Sequence, residues 1–184
     1  AYVEEATPWH TGIRRIARVV LLSAAAGLAM TDGDLERAVD LGTQADRDAT
    51  ELGIERELPL IRAVLARTLL EQADIAGSAR HALAALDAAE VMPFQFPLAI
   101  CLETAAIVAA AAGIDDVDGV DVELATLLAS ADVIRSRGNR KALPPLAGAV
   151  DALRAKLGPS SALVVPSVSD AATLARNLMT RARS

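Results

Sequence analysis

The chain has 184 residues, a formal net charge of −6, and 53% hydrophobic but only 2% aromatic side chains. That length is enough to bury a core, and the acidic balance argues against a grip on duplex DNA, which needs a clustered positive surface to displace counterions. The longest apolar run, Leu98 to Gly113, carries Glu103 and falls short of the roughly 20 residues that a membrane span requires.

Alanine occupies 40 positions; it is the strongest helix former and lets helices approach closely. Val, Ile and Thr never alternate over a stretch long enough to specify a strand, so the sequence predicts an all-α protein. Ala1-Tyr2-Val3-Glu4-Glu5 reads as the middle of a helix, with no initiator Met and no basic-then-apolar leader. The expectation is a piece of a longer, cytoplasmic protein.

Thr7-Pro8-Trp9 opens a first long helix running to about Met30, with Ile13, Ile16, Val19, Val20 and Leu22 in the 3.6-residue rhythm. Trp9 is the only tryptophan and reads as an anchor closing the first helix pair. Arg14, Arg15 and Arg18 form a solvated basic face. Thr31-Asp32-Gly33-Asp34 is a turn whose last carboxylate can cap the next helix. That second helix carries Leu35, Ala38, Val39, Leu41, Gly42 and Ala45 and stops at Gly53.

Pro59 fits the first turn of a third helix, where its missing N–H costs nothing. Leu60, Ile61, Val64, Leu65 and Leu69 continue it to about Glu71, and a fourth helix follows from about Ile75 to Ala89. Val91 to Pro97 holds two prolines and both phenylalanines, Phe94 and Phe96, which read as a plug for the end of a helix pair. A fifth helix spans about Phe96 to Ala112. The acidic stretch Asp115-Asp116-Val117-Asp118-Gly119 lacks the alternating Asp pattern and distal Glu of a calcium loop, so it reads as a solvated loop. A sixth helix runs from about Asp121 to Arg137, with Gly138-Asn139 as a left-handed cap. Pro144-Pro145 starts a seventh, ended by Gly158-Pro159, and a last amphipathic helix begins near Asp170.

Three alanine-rich stretches, Leu22–Gly33, Arg62–Ala73 and Leu102–Gly113, stand 40 residues apart in register. Each breaks at a small residue, and after two of the breaks a new helix opens at Asp34 and Asp74. This is the pattern of stacked helical hairpins. The repeat pairs fall at about residues 8–53, 57–90 and 96–138, with a cap over 144–180, all in one domain over residues 1–184. The middle repeat, having a neighbour on each side, is expected to be the most buried.

Little in the sequence carries chemistry. His10 and His81 lie far apart, and the single cysteine, Cys101, sits inside an apolar helix, so neither zinc spacing nor a Cys–His nucleophile is present. No Gly-rich phosphate loop follows a strand. No catalytic residue, metal or cofactor is assigned. Arg135, Arg137, Arg140 and Lys141 read most plainly as cations gathered at a helix C-terminus, with a phosphate-binding patch as the alternative.

The register carries a resemblance. Ala26, Ala66 and Ala106 stand at the small packing position of the tetratricopeptide repeat, Gly33, Ala73 and Gly113 at its turn, and Ala38 and Ser78 at the small residue of its second helix. The family's large aromatics are absent and the period is longer than usual. The last third, Glu123-Leu124-Ala125-Thr126-Leu127-Leu128-Ala129-Ser130-Ala131-Asp132-Val133-Ile134-Arg135 and then Leu146 to Gly158, resembles the C-terminal region of large bacterial transcription regulators. These are the actinobacterial antibiotic-regulatory (SARP, bacterial transcriptional activator domain) type and the related LuxR-type ATPase regulators. The resemblance implies a right-handed tetratricopeptide-like array of antiparallel helix pairs, about seven to eight helices, with a C-terminal capping helix. It further implies a non-catalytic sensing or docking arm that touches neither nucleic acid nor membrane.

In such an array the first helix of each repeat lines a concave face. The register places Ser23, Gly27, Ala63, Arg67, Glu71, Glu103 and Ile107 there, with Arg67 and Glu103 as the polar groups of interest. Three functions remain open on the sequence. One is docking of a protein partner or of upstream domains of the same chain. Another is sensing of a small effector in a pocket between helices, beside Cys101 and Phe94. The third is a dimerisation scaffold forming a homodimer.

Overall fold

The computed structural model describes residues 2–93, 95–113, 119–138, 144–158 and 166–183. The described residues form eight α-helices and no strand: α1 (Tyr2–Thr31), α2 (Leu35–Glu51), α3 (Leu58–Glu71), α4 (Ile75–Glu90), α5 (Phe96–Ala111), α6 (Val120–Arg137), α7 (Pro144–Leu157) and α8 (Val168–Ala182), with a single 3-10 turn at Glu55–Glu57 before α3. Phe94, the acidic stretch before Gly119, and Arg140 with Lys141 lie outside the described residues, as do the side chains of Trp9 and His10.

Helices pair as antiparallel neighbours, α1 with α2, α3 with α4 and α5 with α6, and α3 packs on α2 and α5. The turns between paired helices explain the 40-residue register. At the end of α1, the Asp34 amide donates to Ala29 O (2.9 Å) and the Gly33 amide to Met30 O (3.2 Å). At the end of α3, the Asp74 amide donates to Leu69 O (2.9 Å) and the Ala73 amide to Leu70 O (2.9 Å). These paired bonds satisfy carbonyls that the helix itself leaves open, and they need one left-handed residue. Gly33 takes it at φ 80° and Gly113 at φ 65°, but at the middle turn a non-glycine, Ala73, takes it at φ 62°. The next residue then caps the following helix: Asp34 Oδ1 accepts from the Arg37 amide (3.3 Å) and Asp74 Oδ1 from the Gly77 amide (2.8 Å). Gly138 adopts φ −92°, an ordinary right-handed conformation; Asn139, the other residue of the expected cap, lies outside the described residues.

Small residues set the helix separations. A Cβ on Gly42 would come within 2.7 Å of Leu65 Cδ2, so α2 and α3 meet through that position. Ser78 is fully buried and its hydroxyl donates to Ala66 O at 2.7 Å, tying α4 to α3. Arg62 Nε donates to Asp46 at 2.7 Å and Nη1 to Ala84 O at 3.3 Å, linking α2, α3 and α4.

The most buried element is α5 rather than the middle pair. Every residue from Pro97 to Ala109 is buried, because α5 packs against α3, α4, α6, α7 and α8. The two helices after the third pair, in the segment where a cap is expected, both pack on α5. Ala171, Ala172, Ala175, Leu178 and Met179 of α8 join the main core with Leu102, Ala106, Leu124 and Leu127. Arg176 pairs with Asp87 and Glu90 of α4, and Arg181 with Glu123 of α6 at 2.5 Å. A smaller core of Val19, Ala45, Ala49, Leu58, Ile61 and Leu65 holds the first pair to α3.

Candidate functional site

An apolar opening lies between α1 and α3. Val20, Ser23, Ala24, Gly27, Leu28, Met30, Leu60, Ala63 and Val64 line a groove of about 430 Å³, with Thr31 and Glu57 at its rim. Its origin is a difference between equivalent positions. On α1 the seam-facing residues are Ser23, Ala24 and Gly27, and a Cβ added at Gly27 would meet nothing within 4 Å. The next seam, between α3 and α5, is filled: Ile100 and Ala63 are buried, and Leu60 and Phe96 pack against them. Beside the groove α1 leaves a ridge in solvent, with Ile13 62%, Leu21 69% and Leu28 67% exposed.

A second cavity, about 400 Å³, opens at the C-terminal ends of α1 and α3, lined by Met30, Thr31, Gly33, Leu35, Arg67, Glu71 and Gly148. Met30 and Thr31 belong to both cavities, so the two adjoin. Arg67 is 6% exposed. Its Nη2 donates to Glu71 Oε1 at 3.2 Å, while Nε and Nη1 have no hydrogen-bond partner.

The seven residues that the register placed on one face therefore divide. Ser23, Gly27 and Ala63 line the groove, and Arg67 and Glu71 line the adjoining cavity. Glu103 and Ile107 do not line a surface. Ile107 sits in the main core, and Glu103 is 0% exposed, because α5 is enclosed on all sides. The Glu103 carboxylate instead receives Arg135 of α6, with Nε donating to Oε1 at 2.8 Å and Nη2 to Oε2. The Arg135 guanidinium also lies over the Phe96 ring, 5.5 Å from its centroid. Arg135 thus lies in the last turn of α6, as a cation at a helix C-terminus does, but it is buried against Glu103 rather than open to a phosphate. Leu60, Val64 and Met30 were not singled out as site residues by the sequence, although Leu60 stands in register with Val20 and Val64 with Ala24.

Cys101 lies away from both cavities. It is fully buried, and burial pushes its thiol well above the usual range, which leaves it unreactive. His81 is half-buried; burial, then the neighbouring Arg80, lowers its pKa. Among the described residues no group of three His, Cys, Asp or Glu side chains could hold a metal ion, and no helix is long and apolar enough to cross a membrane. In comparisons with known proteins, no family model, no curated protein and no solved structure matches the chain.

Proposed function

We propose that this chain is a non-catalytic recognition module, a tetratricopeptide-like sensing or docking arm of a bacterial transcription regulator acting in the cytoplasm, and that it recognises its partner in the α1/α3 groove. The observation that carries this reading is the groove itself. It is about 430 Å³, within the range of roughly 300–1,000 Å³ typical of small-molecule sites, and its walls come from side chains of two helices rather than loops. The paired helices and Schellman turns in 40-residue register support the tetratricopeptide likeness, and the α6–α7 sequence supports the regulator likeness. Of the functions open on the sequence, effector sensing fits the groove better than dimerisation does, because its volume is that of a small-molecule site and its lining is almost wholly apolar.

The test is a chromosomal Gly27→Leu substitution in the complete gene. Open space at Gly27 accepts a side chain, so the groove fills while the fold is kept. The expected result is an altered set of transcripts at unchanged protein level, matching part of the change seen on deletion of the gene. A transcript profile identical to wild type would refute the regulatory role of the groove.

A further inference from the structure

Arg67 is the one polar group of the site whose state calls for a ligand. More than nine-tenths buried, it keeps two N–H edges without an acceptor. Leaving buried charged donors unpaired is costly, and the planar fork of a guanidinium matches a carboxylate. Its present partner, Glu71, is a weakly held one, at 3.2 Å with a side chain 53% exposed.

Resting on the reading of the α1/α3 groove as the recognition site, we infer that the ligand is a small amphiphilic carboxylic acid, with its carboxylate on Arg67 and its apolar body along the groove. Leu60, Val64 and Arg67 fall on one stripe of α3. Seven residues separate the first from the last, about 10 Å of helix at 1.5 Å per residue, so a chain of that length reaches from the guanidinium to Leu60. Entry of the carboxylate displaces Glu71 into solvent and takes its place on the guanidinium, and a second carboxylate oxygen offers an acceptor to a donor that now has none once the side chain turns toward it. A monoanion suits this site better than a phosphate. Among the described residues that line it there is one cation, and Glu71 already stands beside it, so a dianion would meet uncompensated repulsion. A peptide is disfavoured because Val20, Ala24, Leu28, Leu60 and Val64 offer no side-chain partners to its backbone amides and carbonyls.

The experiment uses the whole chain, titrated with decanoate and with 1-decanol below their aggregation limits. Calorimetry gives affinity, and methyl-labelled NMR reports Val20, Leu28, Leu60 and Val64. Decanoate is expected to bind about tenfold or more tighter than decanol, to lose that advantage in Arg67→Met, and to gain affinity in Glu71→Gln, where the competing carboxylate is gone. Gly27→Leu is expected to abolish binding of both probes while retaining the wild-type melting temperature or exceeding it. Equal affinities for the two probes, or a decanoate affinity indifferent to Arg67→Met and Glu71→Gln, would overturn the carboxylate assignment but leave the groove as a recognition site. Groove methyl signals that neither probe shifts, or binding that survives Gly27→Leu, would overturn both.

Discussion

Removing one member of the Glu103–Arg135 pair should be among the most damaging single changes that can be made to this chain. The side chains are 1% and 6% exposed, and their forked hydrogen bonding joins α5 to α6 across 32 residues of sequence. Desolvating two charges is expensive, and their mutual attraction roughly offsets that cost only while both are present. Glu103→Gln removes the charge that neutralises a buried guanidinium; Arg135→Met leaves a buried carboxylate without its counter-charge. Each is expected to cost about 3–5 kcal/mol, whereas replacing both, Glu103→Leu with Arg135→Met, should fall within about 1 kcal/mol of the parent or above it. Against a total stability of about 5–15 kcal/mol for a natural domain, the single changes leave a marginal protein and the double change does not. Urea unfolding followed by far-UV circular dichroism, at neutral pH, closes the cycle. Single variants within about 1 kcal/mol of the parent, or a double variant as unstable as either single, would refute the view that the pair is a self-compensating buried unit.

Three other changes test the turns, the packing and the pH response. Ala73 holds a left-handed conformation that costs an L-residue about 1–2 kcal/mol, so Ala73→Gly should stabilise by about 0.5–1 kcal/mol after the loss of chain entropy is deducted; calorimetric melting should rise, and a fall would refute the assigned turn. Gly42→Ala places a Cβ 2.7 Å from Leu65 Cδ2 and should destabilise by about 1–2 kcal/mol, with Leu65→Val recovering part of that loss; strictly additive losses in urea titrations would count against the contact. His81 has a lowered pKa in the folded chain, so the unfolded state binds the proton more readily, and its contribution to stability, present above the unfolded value of 6.5, is lost as pH falls through the folded value. His81→Gln should therefore flatten the stability profile just below pH 6.5, and a slope equal to that of the parent would contradict the shift.

The helices and their turns were legible because each rests on local chemistry. Asp34 and Asp74 cap because a carboxylate meets free amides there, and the 40-residue register lined up Gly33, Ala73 and Gly113 before any coordinate did. What the sequence hid lies between elements far apart in the chain. Arg135 looked like one more cation at a helix end, since nothing local links it to Glu103. A cap over 144–180 is expected from the sequence, but nothing local tells which helix it encloses, so the full burial of α5 was not legible. The groove was half-visible. Ser23 and Ala63 line the groove and Arg67 the adjoining cavity, but small residues mark either a tight seam or a hollow one, and only the approach of the neighbouring helix decides which.

That choice explains why recognition and stability separate along this chain. The three repeats share a backbone pattern, yet one position carries Ser23, Ala63 and Glu103 in turn, and the next carries Gly27, Arg67 and Ile107. In the third repeat these side chains are large and buried, and α7 and α8 seal them in, so that end of the array is a closed core. In the first repeat the same positions are small, no further helix of the described residues covers α1, and the seam stays open. Arg67 stands between the two regimes. Its backbone is fixed by α3, which packs on the closed end through Ala63 and Ile100, while its side chain lines the cavity at the open end with Nε and Nη1 buried and without an acceptor. A charged group held by a rigid helix but left without a full set of partners is pre-organised for an incoming anion, because its desolvation has already been met by folding rather than being met again on binding.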